Sequence, residues 1–117
     1  MKKLIALFLL VLLAAAVSAQ TIPLNTSLHN KFSIDLASNP TTGFRWHLGN
    51  KLIEKLVRPL GSEFIPPQTQ LVGAGGREIW RFQAMGRGRT KIVLEYARPW
   101  EKGYKPADRR VYEVIIK

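Results

Sequence analysis

Three features of this 117-residue chain point to an all-β sandwich of about seven to eight antiparallel strands. Apolar and polar residues alternate with a period of two through most of its length, the pattern of strands that bury one face. Short alternating segments are punctuated by Gly- and Pro-rich turns, as expected of sheets packed on sheets. Cysteine is absent, so the fold must rest on sheet packing with no disulfide framework. The length suits one domain.

The first nineteen residues stand apart. Met1-Lys2-Lys3 is a positive start, Leu4 to Leu13 is an unbroken apolar run, and Val17-Ser18-Ala19 precedes Gln20. This is the three-part layout of a secretory signal peptide. Leu4 to Ala19 spans 16 residues, short of the roughly 20 that a membrane-spanning helix needs. We therefore expect residues 1–19 to be cleaved and residues 20–117 to form a secreted or periplasmic domain with no membrane anchor. Removing the leader leaves 98 residues and lowers the formal charge from +10 to +8.

The strands follow in order. Ile22 to Leu28 can pair as an edge strand. Phe32, Ile34 and Leu36 alternate with Lys31, Ser33 and Asp35, predicting a strand over 31–37; Phe44, Trp46 and Leu48 alternate with Arg45 and His47, predicting 44–49. Only Lys51 to Val57 has a helical look, and Pro59 limits it to one turn. A weaker strand is expected at 55–64. Trp80, Phe82 and Ala84 share one face of 78–84, Ile92, Leu94 and Tyr96 one face of 90–97. Tyr112, Val114 and Ile116 form the uncharged face of 109–116 and put Glu113 outward.

Three connectors are unusual. If the strands run up and down, every second connector lies at the same end, and the connectors after the second, fourth and sixth strands are the three that cluster at one end of an immunoglobulin-like domain. In the first, Asn39 precedes Pro40, so it is pushed toward extended backbone while its side chain can close a local turn. Gly43 can then adopt positive φ. The segment reads either as a tight sheet-to-sheet corner or as a tip holding Thr41 and Thr42 with little conformational freedom. In the second, Gly73-Ala74-Gly75-Gly76 allows close approach of a partner's backbone or supplies positive φ; it lacks the lysine, hydroxyl and following helix of a phosphate loop. In the third, Arg98-Pro99-Trp100 places an indole beyond a strand end. There it either folds back onto the sandwich or serves as a binding hot spot.

Together, Asn39-Pro40-Thr41-Thr42-Gly43, Gly73-Ala74-Gly75-Gly76 and Arg98-Pro99-Trp100 resemble the loop motifs of chagasin-type inhibitors of papain-like cysteine proteases, in that family's order and at compatible spacing. Phe44 and Trp46 match its aromatic pattern after the first loop. The resemblance implies an immunoglobulin-like sandwich that inhibits cathepsin L-type enzymes reversibly by filling the cleft with three loops. It implies that Thr41 and its neighbours sit over the catalytic Cys–His pair, that the glycine loop lies along the non-primed subsites, and that Trp100 packs on the primed side with Arg98 holding its loop. Glu101-Lys102-Gly103-Tyr104, longer and more charged than needed, departs from the family's tidiest pattern.

Other functions fit poorly. His29 and His47 are far apart and no nucleophile-elbow pattern is present, so no catalytic residue and no enzyme is expected. No cluster supplies the three or four ligands a metal needs, and no cofactor motif appears. Basic residues are scattered singly without an aromatic platform, which argues against nucleic acid. A cell-surface module binding carbohydrate or protein is the alternative, since an exposed Trp can stack on a sugar. We expect a monomer whose partner is a papain-like cysteine protease. Arg77, Arg98, Lys102, Lys105, Arg109 and Arg110 outnumber Glu78, Glu101 and Asp108 beside the last two loops, an excess suited to steering toward an acidic enzyme.

Overall fold

The computed structural model describes residues 20–68, 75–101, 103 and 105–117. The expected leader, Gly73, Ala74, Lys102 and Tyr104 lie outside them. Seven strands appear among the described residues: β1 (Thr21–Thr26), β2 (Lys31–Ser38), β3 (Arg45–Leu48), β4 (Val57–Ile65), β5 (Gly76–Ala84), β6 (Gly88–Ala97) and β7 (Asp108–Ile116). They form two sheets, β1-β7-β6-β3 and β2-β5-β4.

Alternation places the core where the apolar parity predicts. Ile34 and Leu36 of β2, Trp46 of β3, Phe82 and Ala84 of β5, Ile92 and Leu94 of β6, and Tyr112, Val114 and Ile116 of β7 are buried together between the sheets. Phe32 stacks on Phe82 with ring centroids 5.6 Å apart. Burial of this apolar surface, about 25 cal/mol per Å², is the main stabilising term in a domain without disulfides. The helical look of residues 51–57 resolves into one turn, in which Leu56 and Val57 N–H both donate to Ile53 O at 2.9 Å.

One pairing departs from the antiparallel expectation. β1 runs parallel to β7, with Thr21 opposite Val111 and Thr26 opposite Ile116. The physical reason is connectivity: β1 sits at the edge of one sheet and the chain must cross at Ser27–Asn30 to start β2 in the other. It must therefore finish at the end where β7 finishes, and Lys117 N–H donates to Thr26 O at 3.1 Å while Leu28 N–H donates to Lys117 O at 2.9 Å. Alternation reports which face a residue takes but not the direction of its neighbour.

Gly76 opens β5 and is buried, unlike the exposed Gly75. A Cβ at Gly76 would overlap Ile65 O and come within 2.5 Å of Phe64 Cζ, whereas one at Gly75 would meet Ser38 O at an ordinary 3.5 Å. Gly76 is thus needed for β4 and β5 to approach at the base of the second loop. Gly76→Ala is expected to cost about 1–3 kcal/mol of unfolding free energy, the usual range for overpacking, and Gly75→Ala far less. Denaturant titration of the two variants distinguishes them.

Candidate functional site

Because successive strands alternate in direction, the β2–β3, β4–β5 and β6–β7 connections share one end of the sandwich. The first is closed by its own sequence. Pro40–Thr42 forms a single 3-10 turn. Asn39 Oδ1 accepts from Thr41 N–H at 3.3 Å and Thr41 Oγ1 at 2.5 Å, while Thr42 Oγ1 donates to Asn39 O at 2.8 Å. Pro40 sits in the first turn, where its missing N–H costs nothing. Gly43 ends the turn at φ +83° and donates its N–H to Pro40 O at 3.0 Å. Thr41 and Thr42 are left exposed at the tip.

The loop is also fastened from below. The buried Glu78 carboxylate accepts from Ser38 Oγ at 2.5 Å and from Trp46 N–H at 3.1 Å. It thereby joins β5 to the last residue of β2 and to β3 across the two sheets. Trp46 Nε1 donates to Ala37 O at 2.9 Å, and Asn39 N–H donates to the Tyr96 hydroxyl at 2.9 Å. Both strand ends that enter the loop are therefore held by side chains from other strands.

The third loop leans on the first. Trp100 is 66% exposed, yet one edge of its indole lies against Gly43. A Cβ there would overlap Trp100 Cη2 and come within 3.0 Å of Cζ2. Gly43 is thus required twice, for positive φ and for the space its missing side chain leaves. Arg98 ties the two loops: its Nε donates to Thr42 O at 3.3 Å, its guanidinium carbon lies 4.5 Å above the Phe44 ring, and its Nη1 pairs with Glu101 at 3.2 Å. Phe44 stacks on Tyr96 with ring centroids 5.4 Å apart, and Tyr96 packs tilted against Trp46 at 5.1 Å. The column Arg98–Phe44–Tyr96–Trp46 carries the loop contacts into the core.

Of the expected site residues, Asn39, Pro40, Thr41, Thr42, Gly43, Arg98, Pro99 and Trp100 come together at this end. Gly75 and the buried Gly76 form the close of the second loop, whose Gly73 and Ala74 lie outside the described residues. The sequence reading did not assign Phe44, Tyr96, Glu78 and Glu101 to the site, although the parity of Trp80, Phe82 and Ala84 already turns Glu78 inward. No group of His, Cys, Asp and Glu suited to a metal occurs among the described residues.

The basic excess beside the loops is largely neutralised in place. Arg77 pairs with Asp35, Arg98 with Glu101, Arg109 with Glu95 at 3.5 Å and Arg110 with Asp108 at 3.0 Å. The Arg110 hydrogen bond holds the Asp108 carboxyl below its usual range and raises Arg110 in turn. Electrostatic steering by this end is accordingly weaker than the charge count implied. Loop order rests instead on local hydrogen bonds. Asn39→Ala removes the acceptor for Thr41 and is expected to cost about 1 kcal/mol, as loss of a capping side chain does, seen as a small fall in melting temperature.

The exposed tip stands beside a crevice of about 290 Å³ lined by Arg45, Trp46, His47, Ser62, Glu78, Trp80 and Pro99. A crevice of about 530 Å³ lined by Leu48, Asn50, Lys51, Leu52, Glu54 and Pro59 lies around the β3–β4 connection at the other end. An exposed, preordered tip suits contact with a partner, because little entropy remains to be lost on docking.

Comparison with known proteins agrees. The family model described as Chagasin family peptidase inhibitor I42 matches residues 25–116. Chagasin from Trypanosoma cruzi is 36% identical over 70 residues, which span 57% of this chain and just under two thirds, 64%, of chagasin itself. Amoebiasin-2 from Entamoeba histolytica is 29% identical over 94 residues, 80% of this chain and 76% of its own. The crystal structure of the cysteine protease inhibitor EhICP2 from Entamoeba histolytica is similar with a TM-score of 0.71 at 27% identity, covering 83% of this chain and 87% of that one. The family match runs from within β1 to the last residue of β7 and takes in the three-loop end with the sandwich that supports it, so the chain belongs to the chagasin family of peptidase inhibitors.

Proposed function

We propose that this chain is a tight, reversible inhibitor of papain-like, cathepsin L-type cysteine proteases, and that it works by occluding the active-site cleft. Family membership makes it an inhibitor and not an enzyme. The observation that carries the more specific reading is the seating of an exposed Trp100 on Gly43, with Arg98 clamped to Thr42 and Phe44. Two loops thereby present one rigid edge, and an anchored aromatic at the tip is what a binding hot spot requires.

In this reading Thr41 and Thr42 lie over the catalytic Cys–His pair and exclude substrate. The glycine loop from Gly73 to Gly76 runs along the non-primed subsites, where Gly75 admits close backbone approach. Trp100 packs on the primed side. Three loops can cover roughly 800 Å² per partner, the usual size for protease–inhibitor pairs. No residue of the inhibitor reacts; the thiol belongs to the enzyme. Residues 1–19 act as a cleaved signal, so the mature monomer works in the periplasm or outside the cell.

An inhibition panel tests this. Residues 20–117 are expected to inhibit papain and cathepsin L-like enzymes at sub-micromolar concentration and to leave a trypsin-like serine protease untouched. Absence of inhibition across several papain-like enzymes would defeat the proposal.

A further inference from the structure

At the end opposite the loops, most basic side chains have no ion-pair partner among the described residues. The β3–β4 connection carries Lys51 and Lys55, and the β5–β6 turn carries Arg87; Met85 and Gly86 N–H both donate to Leu56 O, at 2.7 and 3.4 Å, which brings these turns side by side. Lys31 and Arg58 flank Gln83 in one row across β2, β5 and β4. Lys91 lies near the start of β6. Among the described residues none of these six forms an ion pair, while Arg89 alone at this end pairs with Glu113, at 3.6 Å. Glu54 lies between Ile53 and Lys55 in the same connection, and the Glu95 side chain reaches Gly49 at its start while pairing with Arg109. At the loop end, by contrast, Arg77, Arg98, Arg109 and Arg110 each hold a carboxylate and Arg45 is left without one among the described residues, so more basic charge goes uncompensated at the end away from the loops.

Apolar side chains protrude through this basic end. Ile53, between Lys51 and Lys55, is 54% exposed, and Leu60, which lines a shallow crevice with Lys31, is 39% exposed. An apolar tip ringed by lysines and arginines is poorly matched to a soluble polyanion, which offers nothing to the isoleucine. It is well matched to an anionic lipid surface, where headgroups meet the charges and Ile53 enters the interface.

We propose that the end bearing Ile53, Lys51, Lys55 and Arg87 docks peripherally on an anionic phospholipid surface, with the three loops pointing away from it. Docking is reversible and salt-dependent, because it uses a few charges and one side chain and no spanning segment. The interaction is independent of protease binding, since the two surfaces lie at opposite ends of the sandwich.

Co-sedimentation of residues 20–117, which hold every described strand and the whole described core, with vesicles tests it. Binding is expected with phosphatidylcholine vesicles containing phosphatidylglycerol, absent with phosphatidylcholine alone, and reduced at high salt. Lys51→Glu with Lys55→Glu should lower partitioning more than about tenfold, at about fivefold per basic residue removed from an anionic surface. Ile53→Ser should lower it severalfold, Lys105→Glu at the loop end should leave it unchanged, and all variants should keep the wild-type melt. Equal binding to both vesicle types, or none to either, overturns the proposal. So does binding that ignores Ile53→Ser while soluble polyphosphate competes it away, an outcome that would assign the end to a polyanion.

Discussion

Trp100→Ala is expected to raise the inhibition constant against a papain-like protease by about 30- to 1000-fold, corresponding to the 2–4 kcal/mol typical of a hot-spot aromatic. The melting temperature should move by less than about 2 °C. Both halves follow from position. Trp100 is 66% exposed and belongs to no core cluster, so the free inhibitor loses little when it is truncated. In the complex it would bring one of the largest apolar surfaces a side chain offers, already fixed against Gly43 and so with little rotamer entropy left to lose. Gly43→Ala should mimic part of the loss from the other side, through strain at φ +83° and displacement of the indole. Should Trp100→Ala lower the melting temperature markedly while inhibition persists, the indole is a structural cover and not a contact.

Glu78→Ala is expected to lower unfolding free energy by about 2–4 kcal/mol, since it leaves the Trp46 N–H and Ser38 hydroxyl without an acceptor in a buried site and opens a cavity. For a domain of this size that amounts to a melting temperature roughly 10–20 °C lower. Glu78 is only 5% exposed and no basic side chain pairs with it among the described residues, so two hydrogen bonds are what hold its carboxylate there. Glu78→Gln keeps an acceptor in the same place and should recover much of the loss. Inhibition by Glu78→Ala, measured well below its melt, should also weaken, because Ser38 and Trp46 bracket the first loop. A melt unchanged by Glu78→Ala would mean that the bridge between the sheets adds nothing.

The strands were legible because one buried face imposes a period of two, and Ile34, Leu36, Phe82, Leu94 and Val114 keep it strictly. The first loop was legible in part: Asn39, Pro40 and Gly43 act through local conformation, which residue type fixes. Their partners were not, since Gly43 meets Trp100 and Asn39 meets Tyr96 across 57 positions of sequence, and no local preference encodes such contacts. Glu78 is intermediate. Parity on β5 turns it inward, but its charge suggests solvent until Ser38 and Trp46 supply the hydrogen bonds that make burial tolerable. The parallel pairing of β1 with β7 and the neutralising partners of the loop-end arginines likewise emerge only from the assembled sheets.

The edge built by the first and third loops is proposed to compete with substrate for the protease cleft. Steady-state inhibition of a papain-like enzyme at several concentrations of a fluorogenic peptide measures that competition. The expected result is an apparent inhibition constant that rises linearly with substrate, full recovery of activity on dilution, and an inhibitor recovered intact. An apparent constant independent of substrate, with the fold intact, would contradict it.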